Sequence, residues 1–125
     1  MTFTKHYTRD EARALLPRLR VWLERLSELR HSLEKSEERL ESLRSDGEDL
    51  GGQLVNRWIS DLAEMRDLLL ELHRREIQLK DLERGLVDFP AIIGGKEVFL
   101  CWERTEADIE FWHDLESGYA GREPL

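Results

Sequence analysis

The fold is decided by the stretch from Leu15 to Leu43, which reads LLPRLRVWLERLSELRHSLEKSEERLESL. Its apolar side chains recur in alternating steps of four and three residues, and Ser36 is the single polar member of the row. The row consists of Leu15, Leu19, Trp22, Leu26, Leu29, Leu33, Ser36, Leu40 and Leu43. This heptad period predicts a long helix that packs against a partner helix in a left-handed coiled coil.

The residues before this row carry the signals of a helix start. Thr8-Arg9-Asp10-Glu11 has the pattern of a capping box, in which the Thr8 hydroxyl and the Glu11 carboxylate each accept a backbone amide. We therefore predict a first helix over residues 9–45. Pro17 lacks the amide hydrogen that a helix interior uses, so it predicts a bend near Ala14 or a restart of the helix there.

A second row of the same period follows a glycine-rich break at residues 45–52. Its members are Val55, Trp58, Leu62, Met65, Leu69, Leu72, Glu76 and Leu79. The row predicts a second helix over residues 53–84. A short connection between two rows of similar length predicts an antiparallel helical hairpin with coiled-coil character.

The remaining segment, residues 85–125, changes to a β-rich composition. Residues 86–93 and 97–102 are predicted strands, and the Gly94-Gly95 pair between them is a hairpin turn signal. Residues 106–117 fit two interpretations, a strand or a helix capped by Thr105, and the strand is favoured. As a strand it places Ile109 and Phe111 on one face with Val98, Leu100 and Trp102, and places Glu110 and Trp112 on the other face with Phe99 and Cys101.

These elements predict one domain over residues 1–125, of the α+β class and mostly α. It consists of the long helical hairpin with a small antiparallel β element and a tail at residues 85–125. The β element is expected to cover the open end of the hairpin near Leu15, Leu19, Leu72 and Leu79. The other half of the hairpin then keeps an exposed apolar stripe, which predicts a homo-oligomer, with a dimer that forms a four-helix assembly favoured.

The composition excludes several classes of protein. The chain has 125 residues, with 19 lysines and arginines against 27 acidic residues, which gives a net charge of −8. An acidic surface argues against binding to nucleic acid or to an anionic membrane. No apolar run reaches the roughly 20 residues of a membrane-spanning helix. The single cysteine, Cys101, cannot form an internal disulfide, so the expected location is the reducing cytoplasm.

Motifs for nucleotide binding, serine hydrolysis and zinc proteolysis are absent from the sequence. The candidate metal ligands are Cys101, Glu110, His113 and Glu116. If residues 106–117 are helical, Glu110, His113 and Glu116 lie on one face, whereas a strand places Glu110 and His113 on opposite faces. Arg122, which lies between Gly121 and Glu123, is a candidate anion-binding residue, although pairing with a nearby carboxylate is the simpler interpretation.

Several C-terminal motifs resemble a known family. They are GLVDFPA at residues 85–91, VFLCW at 98–102, IEFWH at 109–113 and GYAGREPL at 118–125. Together with the opening run TRDEARALLP at residues 8–17, they are similar to the bacterial "domain of unknown function 2203" family. The resemblance implies no activity, because the family has none assigned.

The sequence therefore predicts a non-enzymatic oligomerisation or protein-interaction module without a cofactor. A protein partner is compatible with the same surface. The alternative is a protein that binds a divalent metal ion or haem in its C-terminal zone, around Cys101, Glu110 and His113.

Overall fold

The computed structural model of the protein describes residues 1–47 and 52–125, which form two helices followed by a five-stranded antiparallel sheet. The helices are α1 (Arg9–Ser45) and α2 (Gln53–Arg74). The strands are β1 (Gln78–Asp81), β2 (Leu86–Ile93), β3 (Lys96–Glu103), β4 (Phe111–Asp114) and β5 (Glu123–Pro124). Each strand pairs with its neighbour in the chain, so the sheet is a meander. The α+β class is confirmed. The predicted break at residues 45–52 falls mostly on residues 48–51, outside the described residues.

Helix α1 begins with the capping box that the sequence predicts. The Thr8 hydroxyl accepts the Glu11 amide at 3.1 Å, and the Glu11 carboxylate accepts the Thr8 amide at 3.0 Å. The helix continues through Pro17, so the predicted restart near Ala14 is wrong. The ring of Pro17 and the residue one turn earlier, Arg13, are both exposed, and water can therefore bond the carbonyl that lacks an amide partner.

Helix α2 ends ten residues earlier than the predicted helix over 53–84, and residues 78–81 are a strand instead. The chain leaves the helix through a left-handed residue, Glu76, with a φ of 57°. The amide of Glu76 bonds the His73 carbonyl, and that of Ile77 bonds the Leu72 carbonyl. These are the two hydrogen bonds of a Schellman motif, and the buried Leu72 and Ile77 supply its apolar contact.

The two helices contact each other along one side. Polar contacts between them pair rising residue numbers on α1 with falling numbers on α2: Arg25 with Glu64 at 2.7 Å, Ser32 with Asp61 at 2.6 Å, and Glu37 with Trp58 at 3.5 Å. Met65 and Leu68 pack against the core on the same side of α2. Two members of the predicted second row, Leu62 and Leu69, are exposed instead.

The core lies between the first half of α1, the end of α2 and one face of the sheet, which we call the helix-facing face. It contains Leu16, Leu19, Leu23 and Leu26 from α1, Leu72 from α2, and Val87, Phe89, Val98, Leu100 and Trp102 from the sheet. Leu15, Leu19, Leu72 and Leu79 all belong to this core or pack against it, as the sequence predicts. Neither helix that the structure describes has the length and apolar character needed to cross a bilayer.

The segment 106–117 is not helical, and only residues 111–114 of it are a regular strand. The register pairs Phe99 with His113 and Cys101 with Phe111. Directly paired residues lie on the same face, so the predicted face assignment of β4 is wrong by one residue: Phe111 belongs with Cys101, and Trp112 with Leu100. The irregular residues before β4 allow Ile109 to reach the core although it precedes the strand.

Candidate functional site

A cluster of buried polar side chains lies on the other face of the sheet, which we call the outer face. The Gly94-Gly95 turn pairs Ile93 with Lys96 and thereby places Asp88 opposite Cys101. On the next strand, His113 is paired with Phe99. Alternation along the strands directs the side chains of Asp88, Cys101 and His113 to the outer face, where their potential metal-ligating atoms lie within 4.8 Å of one another.

The orientation of His113 is fixed by both ring nitrogens. Nδ1 lies 2.6 Å from the carbonyl oxygen of Asp114, and a carbonyl can only accept, so Nδ1 carries a hydrogen. Nε2 lies 3.0 Å from Oδ2 of Asp88. A hydrogen bond between these two atoms needs a proton on one of them. The pair is therefore an imidazolium with a carboxylate or a neutral ring with a carboxylic acid.

Asp88 and Cys101 complete the cluster. The side chain of Asp88 is 3% exposed, and its second oxygen, Oδ1, has no hydrogen-bond partner among the described residues. Burial, together with the neighbouring charge of Asp88, raises the pKa of the Cys101 thiol to about 12. The thiol is thus protonated at neutral pH and is a poor nucleophile, because attack requires the thiolate.

A loop from the C-terminal tail covers this face. Residues 115–122, which we call the covering loop, turn back over the sheet before β5 pairs with β4. A cavity of about 250 Å³ remains between this loop and the sheet. Asp88 and His113 line it, together with Lys80, Phe99, Glu116 and Tyr119 among others.

Arg122 fixes the covering loop. Its side chain is 9% exposed, pairs with the Glu106 carboxylate and lies 3.9 Å from that of Glu103. Its guanidinium stacks 4.0 Å from the centre of the Phe111 ring and 4.6 Å from that of Tyr119. The carboxylates are intramolecular partners, so an external anion has to compete with them. Anion binding by Arg122 stays a prediction.

The structure brings together two of the four predicted metal ligands. Cys101 and His113 meet on the outer face, whereas the side chains of Glu110 and Glu116 are exposed and lie outside the cluster. Glu110, His113 and Glu116 would share one face only if residues 106–117 were helical, and this segment is not a helix. Asp88 is not among the ligands predicted from the sequence, although it is a carboxylate within the apolar run LVDFPAII and a two-glycine turn follows that run.

The comparison with known families gives one match. The family described as "Uncharacterized conserved protein (DUF2203)" matches residues 5–125, nearly the whole chain. The chain belongs to the DUF2203 family. No curated protein matches this DUF2203 protein. No solved structure matches it either.

A second feature of the DUF2203 protein is an apolar stripe on α2 that faces solvent. Ile59, Leu62 and Leu69 are 53%, 40% and 43% exposed. With the half-buried Val55 and the exposed Arg66 they recur in steps of four and three residues, and we call this set the free stripe. The residues of α2 that contact α1 or the core, Trp58, Asp61, Met65, Leu68 and Leu72, have the same period. Helix α2 therefore carries two heptad rows, and the described residues leave most of the second row exposed.

The cluster and the free stripe differ in what they can do. The cluster offers one nitrogen, one sulfur and carboxylate oxygens next to a small cavity, which is the donor set of a divalent-metal site. The free stripe offers apolar area at the spacing that a further helix requires. The raised pKa of the Cys101 thiol disfavours the thiolate that nucleophilic attack requires.

Proposed function

We propose that this protein is a non-enzymatic oligomerisation module, in which α1 and α2 form an antiparallel helical hairpin of coiled-coil character and α2 pairs with a second copy. The observation that carries the proposal is the free stripe. Three large apolar side chains at heptad spacing expose about half of their surface each. Single exposed apolar residues are common on soluble proteins, but a periodic row of them is typical of an interface.

The shape of the free stripe favours a second copy of this chain as the partner. A dimer with two-fold symmetry brings the same patch of both subunits together. A two-fold axis on the side of the free stripe, at the level of residue 64 along α2, pairs Ile59 with Leu69 of the other copy, because these positions lie at equal distances on either side. It also pairs Leu62 with Arg66, whose aliphatic stem can cover a leucine while its guanidinium reaches water. The result is a four-helix assembly.

The existing contacts between α1 and α2 support a hairpin that is rigid enough to present the stripe. The Arg25 guanidinium bonds both oxygens of Glu64, and this pairing raises the pKa of Arg25. Ser32 donates to Asp61 at 2.6 Å further along the pair. Exposed ion pairs contribute little to stability, but these contacts set the relative register of the helices.

The test is the mass of the protein in solution, measured by light scattering or sedimentation at tens of micromolar. We expect the wild type to be a dimer and Leu69→Glu to be a monomer, because the substitution places a charge in the centre of an apolar contact. Val21→Glu is the matched control, since Val21 is a 67% exposed apolar residue of α1 outside the stripe. It should still be a dimer at these concentrations.

Two results contradict the proposal. One is a wild-type protein that is strictly monomeric at these concentrations. The other is a Leu69→Glu variant that keeps both its helical circular dichroism signal and the wild-type mass.

A further inference from the structure

The buried cluster on the outer face has no role in self-association, and it has the composition of a metal site. Asp88, Cys101 and His113 come from three adjacent strands, and each is at most 3% exposed. The paired strands hold the three side chains at fixed positions in the sheet. A site on regular strands is more precise than one on loops.

We propose that Asp88, Cys101 and His113 bind one divalent cation of the zinc class, with the fourth coordination position open to the cavity under the covering loop. Nitrogen, sulfur and oxygen donors in one site match the preferences of Zn²⁺, whereas Mg²⁺ and Ca²⁺ prefer oxygen ligands alone. Three protein ligands with one open position are the arrangement of zinc sites that keep a water molecule.

The hydrogen bonding of His113 fits this role. Metal-bound histidines donate their second ring N–H to a carbonyl or carboxylate, which fixes the ring and the tautomer. In His113 the Nδ1–H donates to the Asp114 carbonyl at 2.6 Å, and Nε2 is directed at the cluster. The ring is therefore held as a ligand whether or not a cation is bound.

The orphaned oxygen of Asp88 is an independent sign of a ligand. Oδ1 is buried and has no hydrogen-bond partner of ordinary geometry among the described residues, and the Cys101 thiol lies beside the same carboxylate. Buried carboxylate oxygens are normally paired, because leaving one unsatisfied opposes folding. A cation between Asp88, Cys101 and His113 supplies the missing partner.

The distances between the three ligand atoms and the charges of the ligands can be compared with those of a zinc site. A tetrahedral zinc ion with bonds of about 2.0–2.3 Å holds its ligand atoms about 3.3–3.8 Å apart. The three ligand atoms lie within 4.8 Å of one another, about 1 Å beyond the upper end of that range. When Asp88 and Cys101 bind as a carboxylate and a thiolate, their two negative charges balance the charge of one Zn²⁺. A cavity of about 250 Å³ has room for an ion and its water.

The experiment uses the full chain after treatment with a chelator. Titration with ZnCl₂ in a calorimeter should give one site per chain, and ZnCl₂ should raise the melting temperature. Titration with CoCl₂ should produce the absorption band of a cobalt–thiolate bond, which reports Cys101 directly. Cys101→Ser and His113→Gln should weaken zinc binding at least about tenfold, and Cys101→Ser should abolish the cobalt–thiolate band.

The matched control is His31→Gln, because His31 is an exposed histidine on α1. It should bind zinc and cobalt as the wild type does. Cys101→Ala keeps a small apolar side chain at the buried position, so the test stands even if His113→Gln does not fold. A wild type that binds neither metal, or a Cys101→Ala variant that binds zinc with wild-type affinity and stoichiometry, overturns the proposal.

Discussion

At the scale of single residues, Gly85 shows how closely the turn before β2 approaches the loop after β3. Its φ is 66°, and a Cβ atom at this position would lie 2.5 Å from the Cβ of Arg104. The Gly85 carbonyl also accepts the Arg104 amide at 3.1 Å. Two features therefore require glycine at position 85: the left-handed backbone, and the close contact with Arg104 that leaves no room for a Cβ atom.

We therefore predict that Gly85→Ala destabilises the protein strongly. The left-handed backbone alone costs about 1–2 kcal/mol for a residue with a Cβ atom. The clash with Arg104 adds about 1–3 kcal/mol, as other overpacked sites do. Gly94→Ala is the control, because Gly94 has a φ of 58° and open space around its Cα. Urea unfolding should show a clearly larger loss for Gly85→Ala, and equal losses would contradict the role of the contact.

Glu76 is the residue that makes the end of α2 hard to predict. The left-handed position of a Schellman motif usually belongs to glycine or asparagine, and the heptad pattern continues past it to Leu79. The structure compensates for the strained backbone, because the Glu76 carboxylate accepts the amides of Thr4 and Lys5 at 2.9 and 3.0 Å. This compensation comes from residues more than seventy positions away. A local sequence pattern does not contain it.

At the scale of elements, the N-terminal arm, residues 2–7, is attached to the sheet at both ends: Glu97 binds its first residues, and the Tyr7 amide donates to the Pro90 carbonyl at 2.7 Å. Glu97 accepts the amides of Thr2 and Phe3 at 2.8 and 3.0 Å, and it lies 2.7 Å from Nε2 of His6. The hydrogen bond with His6 and those from the two amides lower the pKa of Glu97 to about 2. The Phe3 ring packs edge-on against Phe99 next to this contact.

The first residues of the arm, Thr2 and Phe3, should therefore detach from the sheet in acid. The pKa of Glu97 is lower in the folded protein than in the unfolded chain. The ionised Glu97 carboxylate therefore contributes its full stabilisation at pH values above the ordinary pKa of glutamate. This stabilisation is lost as the pH falls towards 2. Amide signals of Thr2 and Phe3 in NMR spectra should shift towards disordered values over this range.

Glu97→Gln is the control for this prediction. In that variant the same two amide signals should already lie nearer to disordered values at neutral pH, and their acid titration should be absent. A titration of the wild-type signals with a midpoint at the ordinary glutamate pKa would show that the carboxylate does not hold the arm.

The hairpin of β2 and β3 illustrates what the sequence can predict at this scale. Its two strands and the Gly94-Gly95 turn follow from local composition, and the turn alone fixes Asp88 opposite Cys101. Strand β4 is different, because the irregular loop before it sets its register by placing Ile109 in the core. A shift of one residue there reverses the faces, and this is why Cys101 and His113 were predicted to lie apart.

At the scale of the whole molecule, the net charge of −8 opposes the proposed self-association. Two acidic chains repel each other, and dissolved salt screens this repulsion. Because the free stripe is mainly apolar, we predict that the dimer becomes several-fold tighter as ionic strength rises from about 0.01 to 0.1 M, where the Debye length falls from about 30 to about 10 Å.

Sedimentation equilibrium at both ionic strengths measures this change in the dissociation constant. Val21→Glu adds a negative charge outside the stripe and should show a steeper salt dependence than the wild type. A dimer that weakens with salt would indicate an interface of ion pairs and would contradict an apolar one.

The overall class was accessible from the sequence because heptad rows and β-rich composition are local signals. The covering loop and the N-terminal arm were not, because their places depend on side chains that meet only in the folded protein. Arg122 with Glu106, and Glu97 with Thr2, are such pairs. The candidate site depends on both kinds of contact. The local Gly94-Gly95 turn places Asp88 beside Cys101, whereas His113 joins them through packing between residues that are distant in the sequence.

The attachment of the arm constrains the order of folding during translation on the ribosome. Phe3 precedes its partner Glu97 by 94 residues. At about 5–20 residues per second, translation separates their emergence by about 5–20 seconds. During that interval α1 exists without the sheet that later shields Leu16, Leu19 and Leu23. The other faces of α1 are rich in charged residues, which favour solubility of the growing chain during that interval.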